Sequence, residues 1–253
     1  MWEMVLLAVI QGIAEFLPIS SSGHLVIFGE LLGITEESAT VNIVLHAGTL
    51  ASILVVYWRR ILDMLTSDRR VIPLLVIGTI PAGIAGVIIK TQFKHLLESP
   101  LIAGCMLLVT GGLLLLLKYL PTRDATYQSL SWRKAFEIGT FQAFALMPGI
   151  SRSGSTIVGG RMLGLSNEDA VTFSFLLAIP AILGATVLEM KDLAQSDLTM
   201  DRMAPLLVGA VVAFLVGIFA LRWLIAWSRR GRLHLFAWWC IPMGIGTILW
   251  QLL

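Results

Sequence analysis

Six long apolar segments dominate the chain and determine the class of fold that it can adopt. They lie near 41–58, 71–89, 100–118, 170–189, 203–227 and 235–253. A helix needs about 20 apolar residues to cross the hydrocarbon core of a bilayer, and each segment is close to that length. Only 13% of the residues are charged, about half the share that is usual in soluble domains. We therefore predict an all-α integral membrane protein with six transmembrane helices.

Two further apolar stretches, about 1–30 and 135–165, are interrupted by proline, glycine and serine. The first contains LPISSSGH at 17–24, and the second contains MPGISRSGST at 147–156. Backbone groups freed by such breaks need partners within the protein or in a polar cavity, because lipid offers none. We predict that both stretches are broken re-entrant helical elements, which enter the membrane without crossing it.

The two broken stretches are copies of one another. An offset of 131 residues aligns Gln11 with Gln142, Ala14 with Ala145, Ile19 with Ile150, Ser20 with Ser151, Ser22 with Ser153, Gly23 with Gly154, Gly29 with Gly160 and Leu32 with Leu163. Such self-similarity predicts one membrane domain, 1–253, made of two repeat halves at about 1–120 and 132–253. Three predicted spans separate the two motifs, so the halves form an inverted-topology repeat and their broken tips meet near the midplane.

The distribution of basic residues supports this inversion. They cluster at Arg59, Arg60, Arg69 and Arg70, at Lys118, Arg123, Arg133 and Lys134, and at Arg229, Arg230 and Arg232. Basic loops favour the cytoplasmic side, which places the other loops and both termini outside. The N-terminus lacks the positive stretch of a cleavable signal peptide, so we expect the first apolar segment to be retained.

The first motif places several polar groups at one break. Gln11 and Glu15 are spaced i,i+4 and project from one helix face. Pro18 disfavours helix just before it, and the serines at 20–22 start a new helix whose free N–H groups suit an anion. Glu15 and His24 are costly inside a membrane, which favours a functional role. The alternatives are a structural polar pair between helices, or a position of His24 at the membrane interface.

The second motif repeats the turn but has Arg152 where the first has Ser21. The planar guanidinium fork of arginine matches a phosphate. Hydroxyl donors surround it at Ser151, Ser153, Ser155 and Thr156. The alternative is a salt bridge between Arg152 and Glu15 that only joins the halves.

Other polar residues are interpreted as structural. We expect Glu30 and Arg161, at equivalent repeat positions, to pair across the pseudo-two-fold axis. The acids at Glu36, Glu37, Glu168 and Asp169 follow Thr35 and Ser166 and indicate capped helix starts. His46 and Asn42 are interpreted as hydrogen-bonded core residues. The tryptophans at 223, 227, 238, 239 and 250 fit interfacial or lipid-facing surface.

These motifs resemble a known family. QGIAEFLPISSSGH and PGISRSGST are similar to the two signature motifs of bacterial undecaprenyl-diphosphate phosphatase, the bacitracin-resistance membrane family. The resemblance covers essentially the whole chain, including LHAGTLASILVVYWRR at 45–60. Some members carry glutamate at the position of Gln11, so this chain lacks a second carboxylate there.

The resemblance implies hydrolysis of a C55 polyprenyl diphosphate, which recycles the lipid carrier of peptidoglycan synthesis. It maps the functional acid onto Glu15, the histidine onto His24, the turn serines onto Ser20 and Ser21, and the serine–arginine pair onto Ser151 and Arg152. Together with the residues themselves, it leads us to expect substrate binding by Gln11, Ser20, Ser22, Ser153 and Thr156. A divalent cation, Mg²⁺ or Ca²⁺, would bind Glu15 and diphosphate oxygens. His24 would act as the acid–base group.

The expected location is the bacterial inner membrane, with the site open to the periplasmic side. The partners are the lipid substrate and the bilayer, not nucleic acid, and a homodimer is an open alternative. Water, Ser21 and Ser151 all stay open as nucleophile. A flippase with the same inverted repeat is the alternative function. A phosphatidic-acid-phosphatase site is set aside because Val158 stands where that family has histidine.

Overall fold

The computed structural model describes residues 2–32, 39–194 and 200–253, and this part of the chain is helical. Eleven α-helices are described: α1 Trp2–Ala14, α2 Ser21–Leu31, α3 Ala39–Val56, α4 Trp58–Leu65, α5 Val71–Gln92, α6 Pro100–Leu116, α7 Trp132–Phe144, α8 Arg152–Met162, α9 Asn167–Ala194, α10 Met200–Ser228 and α11 Ala237–Leu252. Short 3₁₀ turns lie at Lys94–Glu98, Tyr127–Ser129 and Leu233–Phe236.

Each of the six predicted spans coincides with a helix. Within the described residues, four helices are long and apolar enough to cross a bilayer: those containing Val71–Ile89, Asn167–Val187, Met203–Ser228 and Leu233–Leu252. The helix pair α3–α4 makes up to a fifth, and α6 is a shorter apolar helix of 17 residues. The structure is therefore an all-helical membrane protein with four to five candidate spans.

The first predicted span, 41–58, differs from a straight helix. α3 ends at Val56, and α4 departs from it at 72°. α4 carries Arg59, Arg60 and Asp63, and Met64 is its buried residue. Charged side chains are costly in hydrocarbon. The bend between α3 and α4 directs the charged residues of α4 away from the axis of the span, where water can solvate them. An amphipathic helix of this kind is typical of a membrane interface.

Besides α4, four of the described helices are clearly too short to cross a bilayer. α1 and α7 have 13 residues each, and α2 and α8 have 11 each. At 1.5 Å per residue they reach about 16–20 Å, against a hydrocarbon core of about 30 Å. The two broken stretches thus form helix–break–helix elements, as the proline and serine breaks predict.

The two breaks repeat in structure as well as in sequence. α2 and α8 start at positions 131 residues apart and have equal lengths. In each, the N-cap serine accepts a hydrogen bond from the glycine three residues later: Ser20 from Gly23 N and Ser151 from Gly154 N. A serine N-cap satisfies one of the free donors of the first helical turn.

The two halves interlock. α1 packs on α10 of the second half, whereas α7 packs on α5 of the first half. α3 packs on α9 and α10, and α6 packs on α11. Ser52 on α3 donates to the carbonyl of Phe214 on α10 at 2.8 Å, a type of interhelical bond that membrane bundles favour. α8 lies at the centre, with Ser153 to Arg161 all buried.

The expected pair of Glu30 and Arg161 is wrong. Arg161 donates to the carbonyls of Leu165 at 2.7 Å and Pro121 at 2.9 Å, whereas Glu30 is exposed. Two backbone carbonyls, one just after α8 and one in the segment that follows α6, satisfy this buried guanidinium without a carboxylate, since five N–H donors suit several neutral acceptors.

The capped start predicted for α9 is confirmed. Ser166 Oγ accepts from Asp169 N at 3.0 Å and donates to the Asp169 carboxylate at 2.5 Å. Asp169 also accepts from Tyr127 N, and Glu168 pairs with Arg229. The corresponding residues of the first half, Thr35, Glu36 and Glu37, lie outside the described residues.

Candidate active site

The two serine turns meet backbone to backbone. A side chain at Gly23 would bring a Cβ atom within 2.7 Å of the backbone of Gly149, so glycine is required there. Gly149 N donates to Ser20 Oγ at 3.1 Å, which joins the first turn to the second. Gly149 itself has φ +92° and its Cβ position faces the Ala103 carbonyl. The tips of the two halves are therefore in direct contact.

Ser20 has an unusual backbone conformation. Its φ is 72° and its ψ is 96°, a region that non-glycine residues rarely occupy. Ser20 Oγ accepts from Gly23 N and Gly149 N, and its carbonyl lies 2.7 Å from His24 Nδ1. These bonds hold the strained residue in place. Such outliers concentrate at functional sites.

A residue on α6 fixes the second turn. Thr110 Oγ1 donates to the Gly149 carbonyl at 2.7 Å and accepts from Ser151 N at 3.0 Å. Both bonds are buried. The sequence pattern did not indicate Thr110, because it lies inside an apolar helix about forty residues from the motif.

Glu15 and Arg152 form a pair between the halves. The Arg152 guanidinium donates through Nη2 to Glu15 Oε1. Glu15 Oε2 accepts from Ser21 Oγ at 2.7 Å and from Gln11 Nε2 at 3.2 Å. This is the salt bridge that the sequence analysis gave as the alternative role of Arg152. A salt bridge alone does not account for the whole arrangement, because the second terminal nitrogen of Arg152, Nη1, is buried and has no partner among the described residues.

A small cavity of about 30 Å³ lies between the turns. Its walls are Ala14, Glu15, Ser20, Ser21, Ser22, Ala145, Ile150, Ser151, Arg152 and Ser153. A volume of this size holds about one water molecule. The cavity therefore has little room for a larger polar group while Arg152 contacts Glu15.

Most of the predicted site residues are brought together. Seven of them line the cavity: Glu15, Ser20, Ser21, Ser22, Ser151, Arg152 and Ser153. Gln11 contacts the site through its bond to Glu15. Thr156 lies away from the cavity walls: its hydroxyl donates to the Arg152 carbonyl at 2.8 Å and is 2.6 Å from Ser174 Oγ. Thr156 thus supports α8 and offers no free hydroxyl to a ligand.

His24 also lies outside the cavity walls, and both its ring nitrogens are engaged. Nδ1 faces the Ser20 carbonyl at 2.7 Å, and Nε2 is 2.8 Å from Trp239 Nε1. A carbonyl only accepts and an indole N–H only donates, so this arrangement fixes the neutral ring with its proton on Nδ1. Trp239, interpreted from the sequence as lipid-facing, stacks on His24 at 6.1 Å between centroids.

His46 is the site residue that sequence reasoning missed. Its Nε2 atom lies 3.7 Å from Glu15 Oε2. Its Nδ1 atom lies 2.8 Å from the carbonyl of Asn42, one helical turn earlier on α3. The side chain is 33% exposed, against 6% for Glu15. The predicted hydrogen bonding of His46 is present, but its predicted core position is wrong, because the side chain is partly exposed and borders the Glu15 carboxylate.

An apolar groove of about 370 Å³ runs beside the cavity. Ile13 and Leu17, two residues before and after Glu15, form one wall, and Val216, Phe219, Ala220 and Trp223 of α10 form the other. The two spaces are adjacent, since Ser153 Oγ on the cavity side donates to the Leu17 carbonyl at 3.3 Å.

Comparison with known proteins identifies the family of this chain. Residues 4–246 match the family described as bacitracin resistance protein BacA. A relative from Rhodopirellula baltica, named undecaprenyl-diphosphatase, is 61% identical over 251 residues, which cover 99% of this chain and 98% of that protein. Relatives of the same name come from Halothermothrix orenii, at 39% over 251 residues (98% of this chain, 97% of that protein), and from Desulfatibacillum aliphaticivorans, at 41% over 265 aligned positions (96% and 95%). The family match and these relatives cover almost the full length of the chain, and this protein is a member of the bacitracin resistance protein BacA family.

Proposed function

We propose that this protein hydrolyses undecaprenyl diphosphate to undecaprenyl phosphate and inorganic phosphate. This reaction recycles the lipid carrier of peptidoglycan synthesis and confers bacitracin resistance. The observation that carries the proposal is the Arg152–Glu15 contact between two serine turns at the tips of half-length helices. The names of the full-length relatives support it.

Binding begins with an exchange of partners at Arg152. The incoming diphosphate replaces Glu15 on the guanidinium, which then binds two oxygens with its planar fork. Nη1, buried without a described partner, supplies the second donor. Phosphoryl transfer asks a protein mainly for positioning and charge neutralisation, and the serine hydroxyls at the two helix starts add donors around the same point.

Ser21 is the nucleophile that the geometry favours. Its hydroxyl donates to Glu15 Oε2 at 2.7 Å, which matches the hydrogen-bonded nucleophile and base of covalent catalysis. Ser151 Oγ is instead engaged with Gly154 N and Ser153 Oγ. Attack of Ser21 Oγ on the terminal phosphorus expels undecaprenyl phosphate with the bridging oxygen and its electron pair. The hydroxyl proton passes to Glu15, and water then releases phosphate from the serine.

Trapping of phosphate on the protein tests this route. Acid quench during turnover of diphosphate labelled in the terminal phosphate should leave label on the wild type and none on Ser21→Ala. The matched control is Ser151→Ala, which should retain label if it folds. Turnover by the wild type with no label on the protein under fast quench would assign the attack to water.

His24 is best placed to act through Ser20. It binds the Ser20 carbonyl and is itself held by Trp239, so it stabilises the strained turn. The acid–base role predicted from the sequence requires Nε2 to leave Trp239 first. Replacing Trp239 by phenylalanine keeps the ring stack but removes the donor. If His24 only supports the turn, this change should leave the pH profile of turnover unchanged.

A divalent cation fits the donors at Glu15. Mg²⁺ and Ca²⁺ prefer oxygen ligands, and the Glu15 carboxylate would hold the ion together with diphosphate oxygens. Gln11 Oε1 is a buried oxygen without a partner among the described residues, and the amide is available as a further ligand. Such an ion would neutralise charge on the transferred phosphoryl group. Glu15→Gln should weaken the dependence of turnover on magnesium, and an unchanged magnesium titration would remove Glu15 as a ligand.

The polyprenyl tail fits the apolar groove. The groove starts at the residues that flank Glu15 and continues along the outer face of α10, where Phe219 is 75% exposed. A diphosphate held at Arg152 places its first isoprene units at the start of this groove. The tail then extends into lipid, where it loses no hydrophobic burial.

We further propose the full membrane arrangement of an inverted repeat. Six helices cross the bilayer, and α1–α2 and α7–α8 enter it from opposite sides, in halves of about 1–120 and 132–253. Both termini face outward in the bacterial inner membrane, and the cavity opens to the periplasmic side. Cysteine accessibility on the two sides of α1 and α7 tests this assignment, because equal labelling from one side would exclude inversion.

Phosphate release by the purified protein in detergent is the decisive test of function. No transport is possible there, so release from C55 diphosphate separates a phosphatase from the alternative flippase. We expect release in the wild type, loss on addition of chelator and loss in Arg152→Met. Wild-type protein that binds the lipid but releases no phosphate would refute the proposal.

A further inference from the structure

The ring of His46 is held in one orientation by its own helix. Nδ1 lies 2.8 Å from the Asn42 carbonyl, which can only accept. Nδ1 therefore carries a proton. In the neutral ring the lone pair is on Nε2, and Nε2 faces Glu15 Oε2 at 3.7 Å. An imidazole whose Nδ1–H donates to a backbone carbonyl is the arrangement found in histidines that ligate metals through Nε2.

Two acceptors then face one another across a short gap. A neutral imidazole nitrogen and a carboxylate oxygen repel unless a positive centre lies between them. Metal–ligand distances of about 2.1–2.5 Å place neighbouring ligands at a right angle about 3.0–3.5 Å apart. The observed separation of 3.7 Å is close to that range and exceeds a hydrogen bond.

A third donor lies at the same place. Gln11 Nε2 bonds Glu15 Oε2 at 3.2 Å, while Gln11 Oε1 is buried and unpartnered among the described side chains. A half-turn of the amide exchanges the two atoms, which brings the oxygen to the Glu15 side. Gln11 and Glu15 share one face of α1, and His46 approaches from α3.

We propose that His46 Nε2 is a ligand of the divalent cation at Glu15, with Gln11 Oε1 beside it. This inference rests on the proposed phosphatase function for the identity of the site. His46 would supply the strong second metal-ligating atom that Gln11, as an amide, does not. A nitrogen ligand shifts the preference of the site away from Mg²⁺ and Ca²⁺ and towards transition metals, because imidazole suits those metals better than hard cations.

Two other histidines have side chains that the structure describes, and neither offers this contact. His24 is occupied on both nitrogens by Ser20 and Trp239. His234 belongs to the 3₁₀ turn Leu233–Phe236, which packs on α6 and α11. His24 therefore gives a control for the loss of a site histidine that is not a ligand.

Pulsed electron paramagnetic resonance of Mn²⁺ tests the contact without turnover. The full chain in detergent, loaded with Mn²⁺ and no lipid, should show a hyperfine coupling to ¹⁴N that changes to the ¹⁵N pattern when the protein contains ¹⁵N-histidine. His46→Gln should remove the coupling and weaken Mn²⁺ binding about tenfold or more, as loss of even a supporting residue of a metal site does. His24→Gln should keep the coupling.

Two results would overturn the inference. One is a wild-type protein in which Mn²⁺ shows no coupling to a histidine nitrogen, whether Mn²⁺ binds elsewhere or does not bind. The other is a coupling that survives in His46→Gln. Either result is distinct from failure of the proposed function, which is measured by phosphate release from C55 diphosphate. A protein that releases phosphate but shows no histidine coupling keeps its function and loses only this ligand.

Discussion

Removal of the Arg152 charge should separate the structural role of the Arg152–Glu15 pair from its chemical role. Arg152→Met keeps an unbranched, flexible side chain but leaves the Glu15 carboxylate without its cation. Glu15 is only 6% exposed at its side chain, so water cannot solvate the abandoned charge. Glu15→Gln in the same chain removes that charge and keeps acceptors for Ser21.

The magnitude follows from burial. Breaking a buried ion pair by removing one partner costs about 3–5 kcal/mol. In a chain of this size each kcal/mol lowers the melting temperature by about 2–4 °C, so Arg152→Met should melt at least about 6 °C below wild type. The double variant Glu15→Gln/Arg152→Met should recover about half of that loss or more, since no charge is left unpaired. Coupling between contacting residues of about 0.5–3 kcal/mol is usual.

Thermal unfolding in detergent, followed by tryptophan fluorescence, measures the stability of wild type, Arg152→Met and the double variant, and phosphate release measures their activity. We expect stability to return in the double variant while activity stays absent in both variants that lack Arg152. If Arg152→Met and the double variant melt at the same temperature, Glu15 is not held by Arg152 and the reasoning fails. Recovery of phosphate release in the double variant would refute Arg152 as the diphosphate clamp.

Three further changes test other parts of the site. Arg152→Lys should lower kcat/KM about tenfold to a hundredfold, because an ammonium forfeits one charge-assisted hydrogen bond of about 1.5–3 kcal/mol; near-normal turnover would remove the fork from the mechanism. Thr110→Val should destabilise the protein by about 2 kcal/mol or more and lower kcat, because the Gly149 carbonyl and Ser151 N–H lose a buried partner; a wild-type melting curve would show that other groups satisfy them. Phe219→Ala should raise KM for C55 diphosphate about fivefold and leave kcat unchanged, since about 1 kcal/mol of apolar contact is lost; an equal KM would place the tail elsewhere.

Local features of the sequence predicted much of this arrangement. The serine breaks predicted the ends of the half-length helices, because N-caps and prolines act within a few residues. The repeat predicted matching turns at Ser20 and Ser151. The cost of burying a charge in a membrane predicted that Glu15 and Arg152 would lie close together. Each of these inferences depends on neighbours in the chain or on a direct copy of them.

The features that were missed depend on packing between distant helices. His46 reaches Glu15 because α3 lies against α1, and nothing in the residues around His46 indicates that contact. Trp239 looked like many interfacial tryptophans, yet its N–H holds His24. The bend at Tyr57 was not predicted, because the charges that begin at Arg59 indicate where the apolar run ends but not that a second helix continues at an angle.

The exchange of helices between the halves has a consequence for how the protein is made. α1 leaves the ribosome first, but the surface that receives it, on α10, is synthesised near the end. α1, with Glu15 directly after it, therefore stays in the insertion machinery or at the lipid boundary, without its packing partner, until most of the chain has entered the membrane. A nascent protein cannot acquire a working site in stages, and two separately expressed halves should regain one only when they meet.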